Sequence, residues 1–182
     1  MGRAMPILIL AVLALVGWRV YIILDKGGQL RTLSYSAPLQ CRSVTGTVGA
    51  EDLAIDHDTG WVYVSAFDRR PYMAGDRSVR GMIGVFSLTG GDNAVIDLSD
   101  PARSGAPTKF APHGLSLYVG ADGKKALGVV NHADGEAVEI FDIVEQVSNT
   151  ALSGAPNIVH RRTVRSPLFH SMNDLVMVSP NA

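Results

Sequence analysis

One register recurs three times along this chain and constrains its fold more than any other feature. Glu51-Asp52 stands before the apolar run Leu53-Ala54-Ile55, His113-Gly114 before Leu115-Ser116-Leu117-Tyr118, and Asn173-Asp174 before Leu175-Val176-Met177-Val178. The three starts lie 62 and then 60 positions apart. Polar residues held in one register at that period predict repeated supersecondary units converging on a shared centre. Adjacent residues of an extended chain point to opposite sides, so Glu51 and Asp52 serve two points in space rather than one. The same holds for Asn173 and Asp174. Oxygen donors divided in this way suggest two hard-cation sites, with calcium the best match.

The pattern between the starts is one of strands and turns. Trp61-Val62-Tyr63-Val64-Ser65 follows the turn Asp58-Thr59-Gly60; Met82-Ile83-Gly84-Val85-Phe86-Ser87-Leu88 precedes Gly90-Gly91, and Ala94-Val95-Ile96-Asp97-Leu98 closes the unit. The second unit repeats this order. Its pieces are Leu115 to Tyr118, a turn at Ala121-Asp122-Gly123, Ala126 to Asn131, a turn at Asp134-Gly135, Ala137 to Ile143, and a strand near 158–164. No amphipathic helix of ordinary length is predicted after residue 50. The expected fold is all-β: a partial β-propeller of about two blades plus the first strand of a third, with loops decorating one face. Because a propeller requires closure, the chain reads as part of a wheel.

The N-terminus departs from this pattern. Residues 5–18 are apolar throughout, Arg19 interrupts, and Val20-Tyr21-Ile22-Ile23-Leu24 follows. The uninterrupted part is short for a span of about 20 residues, yet it suits a secretory h-region or an uncleaved signal anchor. Arg19 could snorkel to an interface, and a buried core helix is the alternative. The expected organisation is a signal anchor or signal peptide at 1–24, a linker and first strand at 25–50 broken by Gly27-Gly28 and by residues 34–38, and the propeller part at 51–182. This places the protein in the secretory or extracytoplasmic space, anchored by its N-terminus. A net charge of −1 and a pI near 6.5 give no electrostatic basis for binding nucleic acid. Cys41, the single cysteine, is expected to be a small buried hydrophobe.

His113 and His132 are the titratable pair. One opens the inner strand of the second unit and the other ends the strand after its turn, so antiparallel pairing could bring them together. Beside a bound cation, one histidine could take a proton from water while the cation polarises a carbonyl. Two structural histidines are the other reading of the same pair. His57, His160 and His170 lack such company and are expected at the surface or in turns. Asp56-His57-Asp58-Thr59-Gly60 has no later Glu ligand and reads as a turn rather than a calcium loop. There is no Gly-x-Ser-x-Gly elbow and no phosphate-cradling glycine loop.

Taken together, Gly49-Ala50-Glu51-Asp52-Leu53, Phe110-Ala111-Pro112-His113-Gly114-Leu115, Val130-Asn131-His132 and Asn173-Asp174-Leu175-Val176 resemble, in order, motifs of the serum paraoxonase/arylesterase family over residues 40–180. The resemblance implies a six-bladed propeller with two central calcium ions that hydrolyses lactones and aryl esters. It also implies a hydrophobic N-terminal segment kept as a signal anchor. By that resemblance Glu51 and Asn173 are ligands of the catalytic calcium, and Asp52, Asp174 and the backbone carbonyl of Leu115 hold the structural one. His113 and His132 form a dyad in which His113 activates water and His132 supports it; Asn131 is a neighbour without an assigned role. Residues 67–81, with Arg69, Arg70, Pro71 and Tyr72, match a flexible loop over the site.

Family domains run to about twice this length. The remaining catalytic-calcium ligands, and the cysteine that Cys41 would bond, belong to the second half. The chain therefore reads as a truncated member, expected to show at most trace activity by itself. Two other readings stay open: a non-catalytic, membrane-tethered propeller fragment or interaction module, and a gluconolactonase-like hydrolase using one divalent metal.

Overall fold

Alternating apolar residues bounded by glycine turns build two four-stranded sheets in the computed structural model, which describes residues 4–32, 34, 41–90, 94–144 and 154–180. Residues 35–38 of the expected helix-breaking stretch and Gly91 of the expected turn lie outside these. The first sheet takes β1 (Ala50–Asp56), β2 (Trp61–Ala66), β3 (Met82–Ser87) and β4 (Ile96–Asp97) in that order. The second takes β5 (Pro112–Val119), β6 (Lys125–Asn131), β7 (Ala137–Val144) and β8 (Asn157–Val164). Every ladder between neighbouring strands is antiparallel, so each sheet is a simple meander. These are two blades of a partial propeller, and they follow the strand order expected from the repeat.

One short helix interrupts the first meander and a second lies on the connection between the two sheets. In α2 (Arg69–Met73) the Asp68 side chain accepts the Arg70 amide, and in α3 (Pro101–Ser104) Asp100 accepts the Ala102 amide. Both are Asx caps on first turns, where backbone donors lack helical partners.

The blades share one core. Tyr63, Ile83 and Val85 from the first sheet pack with Leu115, Leu127, Val129, Phe141 and Ile158 from the second, and Phe110 sits between them with its ring edge on Phe141. Each such side chain contributes roughly 1.5–3 kcal/mol on leaving water. Polar stitches fix the seam at both ends. At one end the Ser65 hydroxyl donates to the His113 carbonyl, and Asp52 Oδ2 accepts the Leu115 amide at 2.8 Å. At the other, Lys125 Nζ lies 2.5 Å from Asp56 Oδ2, with only 3% of the Asp56 side chain exposed. Burial pushes the Asp56 carboxyl up, but the Lys125 ammonium, with help from Thr59 and the Asp58 amide, holds it below the usual carboxylate range.

The third repeat behaves differently from the expected strand. Residues 173–178 have no ladder partner among the described residues, so no strand forms there. They pack instead on the second blade: Leu175 and Met177 lie where a Cβ on Gly128 would be, within 2.9 Å, and the Met177 amide donates to Ser116 Oγ at 3.1 Å. A strand requires a hydrogen-bonded neighbour, and here an apolar contact supplies the docking without one. Cys41 also differs, being exposed rather than buried.

The N-terminal unit, residues 1–41, contains α1 (Ala4–Lys26), which runs unbroken through Arg19. Its 23 residues span about 34 Å at 1.5 Å per residue, against a hydrocarbon thickness of about 30 Å. Met5–Lys26 is long and apolar enough to cross a membrane, and all its side chains but the half-buried Ile22 and Asp25 are exposed.

Lys125→Met should leave the Asp56 carboxylate buried and unpaired, costing about 3–5 kcal/mol in urea unfolding. Because its folded pKa is depressed, Asp56 contributes stability that is present above its ordinary pKa of 3.8 and is lost as pH falls through the lower folded value. The variant should lack that acid-dependent loss. A wild-type-like midpoint would show that the ion pair does not hold the seam.

Candidate active site

Both inner strands are bulged at the recurring motif. The β1 ladder shifts register between Ala50 and Asp52, and the β5 ladder between Pro112 and Leu115. A bulge re-aims the side chains it carries. Glu51 and Asp52 therefore diverge. Glu51 Oε2 lies 3.0 Å from Arg69 Nη2 and 3.3 Å from His113 Nε2. Asp52 turns to the seam, where its two oxygens accept the amides of Leu53 and Leu115, each at 2.8 Å.

Pro112 pairs with Asn131 across the antiparallel β5 and β6, so His113 and His132 flank that pair on either side, next to the register shift that follows Pro112. His113 Nδ1 is 3.1 Å from His132 Nε2, and the rings are tilted 58° with centroids 5.2 Å apart. Both histidines line a cleft of about 440 Å³, whose walls include Phe67, Arg69, Tyr72, Met172 and Asn173. Burial holds the His113 pKa below its ordinary value; the Arg69 guanidinium adds to this and Glu51 opposes it. The rim is ordered by stacking: Tyr72 meets the Phe67 ring edge at 5.1 Å and Arg77 lies 4.2 Å over Tyr72.

Asn173 and Asp174 reach the same end of the sheets. The Asn173 carbonyl and the Asp174 Cα each come within 2.5 Å of the place a Cβ on Gly114 would occupy, and Asp174 Oδ1 accepts the Leu175 amide at 2.7 Å. Glu51, Asp52, His113, His132, Asn173 and Asp174 are thus brought together around the Gly114–Leu115 step. For Leu115 it is the amide, held by Asp52, whose partner is defined.

Oxygen donors from Glu51, Asp52, Asn173, Asp174 and the Leu115 carbonyl have the chemistry of a hard-cation site and not of a zinc site. Among the described residues, however, no three His, Cys, Asp or Glu side chains form a group able to hold a metal. The hydrogen bonds show why: Glu51 is drawn to Arg69, Asp52 is bound to two amides, Asp174 accepts the Leu175 amide, and the other donors are amide or backbone oxygens. The donor chemistry fits calcium, with carboxylates already in use by the protein.

Sequence reasoning missed two participants and one pairing. Arg69, expected in the loop over the site, neutralises Glu51 from α2. Glu136 Oε1 lies 2.9 Å from His132 Nδ1. Glu139, 1% exposed, accepts from Asn131 Nδ2 at 2.9 Å, His160 Nε2 at 2.8 Å and the Thr163 hydroxyl at 2.5 Å. Asn131 Oδ1 in turn accepts the amides of Ala111 and Ala133, which fixes the chain on both sides of His132. His160 is therefore a partner in a buried network and not the surface residue expected; Phe141 packs on its ring. An alternating strand shows Glu139 as one polar residue among apolar ones and gives no sign of its partner 21 positions away.

A second opening of about 640 Å³ lies at the opposite end of the sheets beside Asp56 and Lys125, whose charges are already paired; no histidine lines it.

Residues 81–182 match the family model described as Arylesterase. Serum paraoxonase/lactonase 3 of Mus musculus is 26% identical over 186 aligned positions, covering 99% of this chain and 49% of that protein. Serum paraoxonase/arylesterase 1 of Homo sapiens is 29% identical over 143, covering 77% and 38%, and its Rattus norvegicus counterpart is 30% identical over 145, covering 78% and 38%. The chain spans about half the length, or less, of the curated relatives it matches.

Gly114→Ala should push the Asn173-Asp174 segment off β5. Overpacking of this kind costs about 1–3 kcal/mol. The Met177 amide, which donates to Ser116 Oγ of β5, should exchange with solvent faster while the β6–β7 ladder amides are unchanged; unaltered Met177 exchange would contradict the docking.

Proposed function

Because the chain belongs to the serum paraoxonase/arylesterase family, we propose that it carries the catalytic dyad of a calcium-dependent hydrolase of lactones and aryl esters. The observation that carries this reading is the contact of His113 with His132 on the wall of an open cleft, with Glu51 on the far side of His113. His113 accepts a proton from water as the water attacks the substrate carbonyl, and His132 supports the resulting imidazolium. Phe67, Tyr72 and Met73 supply an apolar wall for an aryl or alkyl group.

Glu51 and Asn173 would hold the catalytic calcium, and Asp52, Asp174 and the Leu115 carbonyl the structural one. Calcium, when bound, supplies positive charge for the carbonyl oxygen on which negative charge develops. To hold it, Glu51 would have to release the Arg69 guanidinium that now lies 3.0 Å away.

The N-terminal helix supplies an anchor that keeps the β body at a membrane surface on the extracytoplasmic side. Its length, its apolar composition and relatives whose names place them in serum support this assignment. One observation favours a second reading, that of a non-catalytic tethered module. Glu51 is already paired with Arg69, and no three His, Cys, Asp or Glu side chains form a metal group among the described residues.

Hydrolysis of an aryl acetate and a long-chain lactone, measured on the protein expressed from its native reading frame, separates the two. The hydrolase reading expects calcium-stimulated turnover that excess chelator removes and that His113→Gln lowers by about 10²–10⁴-fold. Turnover indifferent to both would contradict it, and its absence with calcium bound would favour the tethered module.

A further inference from the structure

Glu136 faces the dyad from behind. The turn at Asp134-Gly135, with Gly135 at φ +80, folds the chain back so that Glu136 returns beneath His132, four positions earlier. Its two oxygens have separate tasks. Oε1 lies 2.9 Å from His132 Nδ1, and Oε2 accepts the Met172 amide at 3.1 Å, one residue before Asn173.

We propose that Glu136 is a positioning residue of the dyad, fixing the tautomers of His132 and His113 so that the free lone pair of His113 sits on Nε2. This rests on the reading of the two histidines as a hydrolytic dyad. An ionised carboxylate only accepts hydrogen bonds, so Nδ1 of His132 is the donor. A neutral imidazole has one donor and one acceptor, which leaves His132 Nε2 as an acceptor. That atom is 3.1 Å from His113 Nδ1, so His113 Nδ1 carries the proton and His113 Nε2 does not. The chain of assignments ends at Nε2, 3.3 Å from Glu51 Oε2, an oxygen that takes its donor from Arg69 Nη2 at 3.0 Å and not from His113. A proton taken up by Nε2 meets a carboxylate, and no proton has to leave His132 first.

The second bond of Glu136 makes the role sharper. The Met172 amide requires an acceptor, so a carboxamide at this position would turn its oxygen to Met172 and its NH₂ to His132. That reverses the relay: His132 would hold its proton on Nε2, His113 would hold its own on Nε2, and no lone pair would face Glu51. A purely structural contact would tolerate the isosteric amide; a tautomer-fixing one would not.

Glu136→Gln and Glu136→Ala in the full chain, in detergent, distinguish the two roles. Long-range ¹H–¹⁵N correlation of the imidazoles should show His132 protonated on Nδ1 in the wild type, on Nε2 in the Gln variant and mixed in the Ala variant. The kcat for aryl acetate should fall about 10–100-fold in both, with KM and the thermal midpoint of the Gln variant unchanged. A wild-type His132 protonated on Nε2, or a Gln variant with wild-type tautomer and kcat, would overturn the proposal. If the wild type turns over no ester, the hydrolase reading falls, and the imidazole spectra of wild type and Gln variant still decide the tautomer claim. If the Gln variant fails to fold, the wild-type spectrum decides it.

Discussion

The carboxylate of Asp52 reaches across the seam between the two sheets to accept the Leu115 amide, and the rest of the site depends on that reach. A hydrogen bond to a charged group is worth about 1.5–3 kcal/mol, more than a typical neutral one. It consumes a backbone donor of β5 beside the bulge. The second stitch, from the Ser65 hydroxyl to the His113 carbonyl, consumes a β5 acceptor two residues earlier. With donor and acceptor both tied to the first sheet, the β5 backbone at His113 has one position relative to Glu51, and the imidazole falls 3.3 Å from the Glu51 carboxylate.

A second set of bonds holds the other half of the dyad. Glu139 is buried and meets three donors, so its charge is spread over Asn131, His160 and Thr163 without an unpaired oxygen. Asn131 passes that rigidity to the amides of Ala111 and Ala133, and the Ala111 carbonyl accepts the His132 amide at 3.1 Å. His113 is thus fixed from the first sheet and His132 from within the second. The cleft opens where these two supports meet, at the end of the sheets away from the Asp56–Lys125 pair.

Much of this was legible in the sequence, for a physical reason. The repeat placed Glu51-Asp52, His113-Gly114 and Asn173-Asp174 in one register, and equivalent positions in stacked units lie together in space. Turn glycines and apolar runs marked the strands, so β2, β3, β6 and β7 fall within a residue or so of their expected limits. What stayed hidden depends on pairing between distant positions. Asp56 with Lys125, Glu51 with Arg69 and Glu139 with His160 each join two ordinary-looking charged or polar residues from separate elements. Glu136 lies near His132 in the chain, but only the turn at Gly135 turns proximity into contact. The run 175–178 has the composition of a strand; strand formation needs a neighbour as well as a pattern.

The Leu115 amide is the most direct reporter of the central claim, because its acceptor is the Asp52 side chain on the other sheet rather than a neighbouring strand. Native-state hydrogen exchange of this one proton, in the wild-type chain and in Asp52→Ala, tests whether the sheets are joined as described. The account predicts strong protection in the wild type, and in the variant a selective loss at Leu115 while the Leu127 and Val129 amides of β6 stay protected. A Leu115 amide that exchanges in the wild type as fast as an exposed loop would contradict it, because the seam that sets His113 against Glu51 would then not be closed.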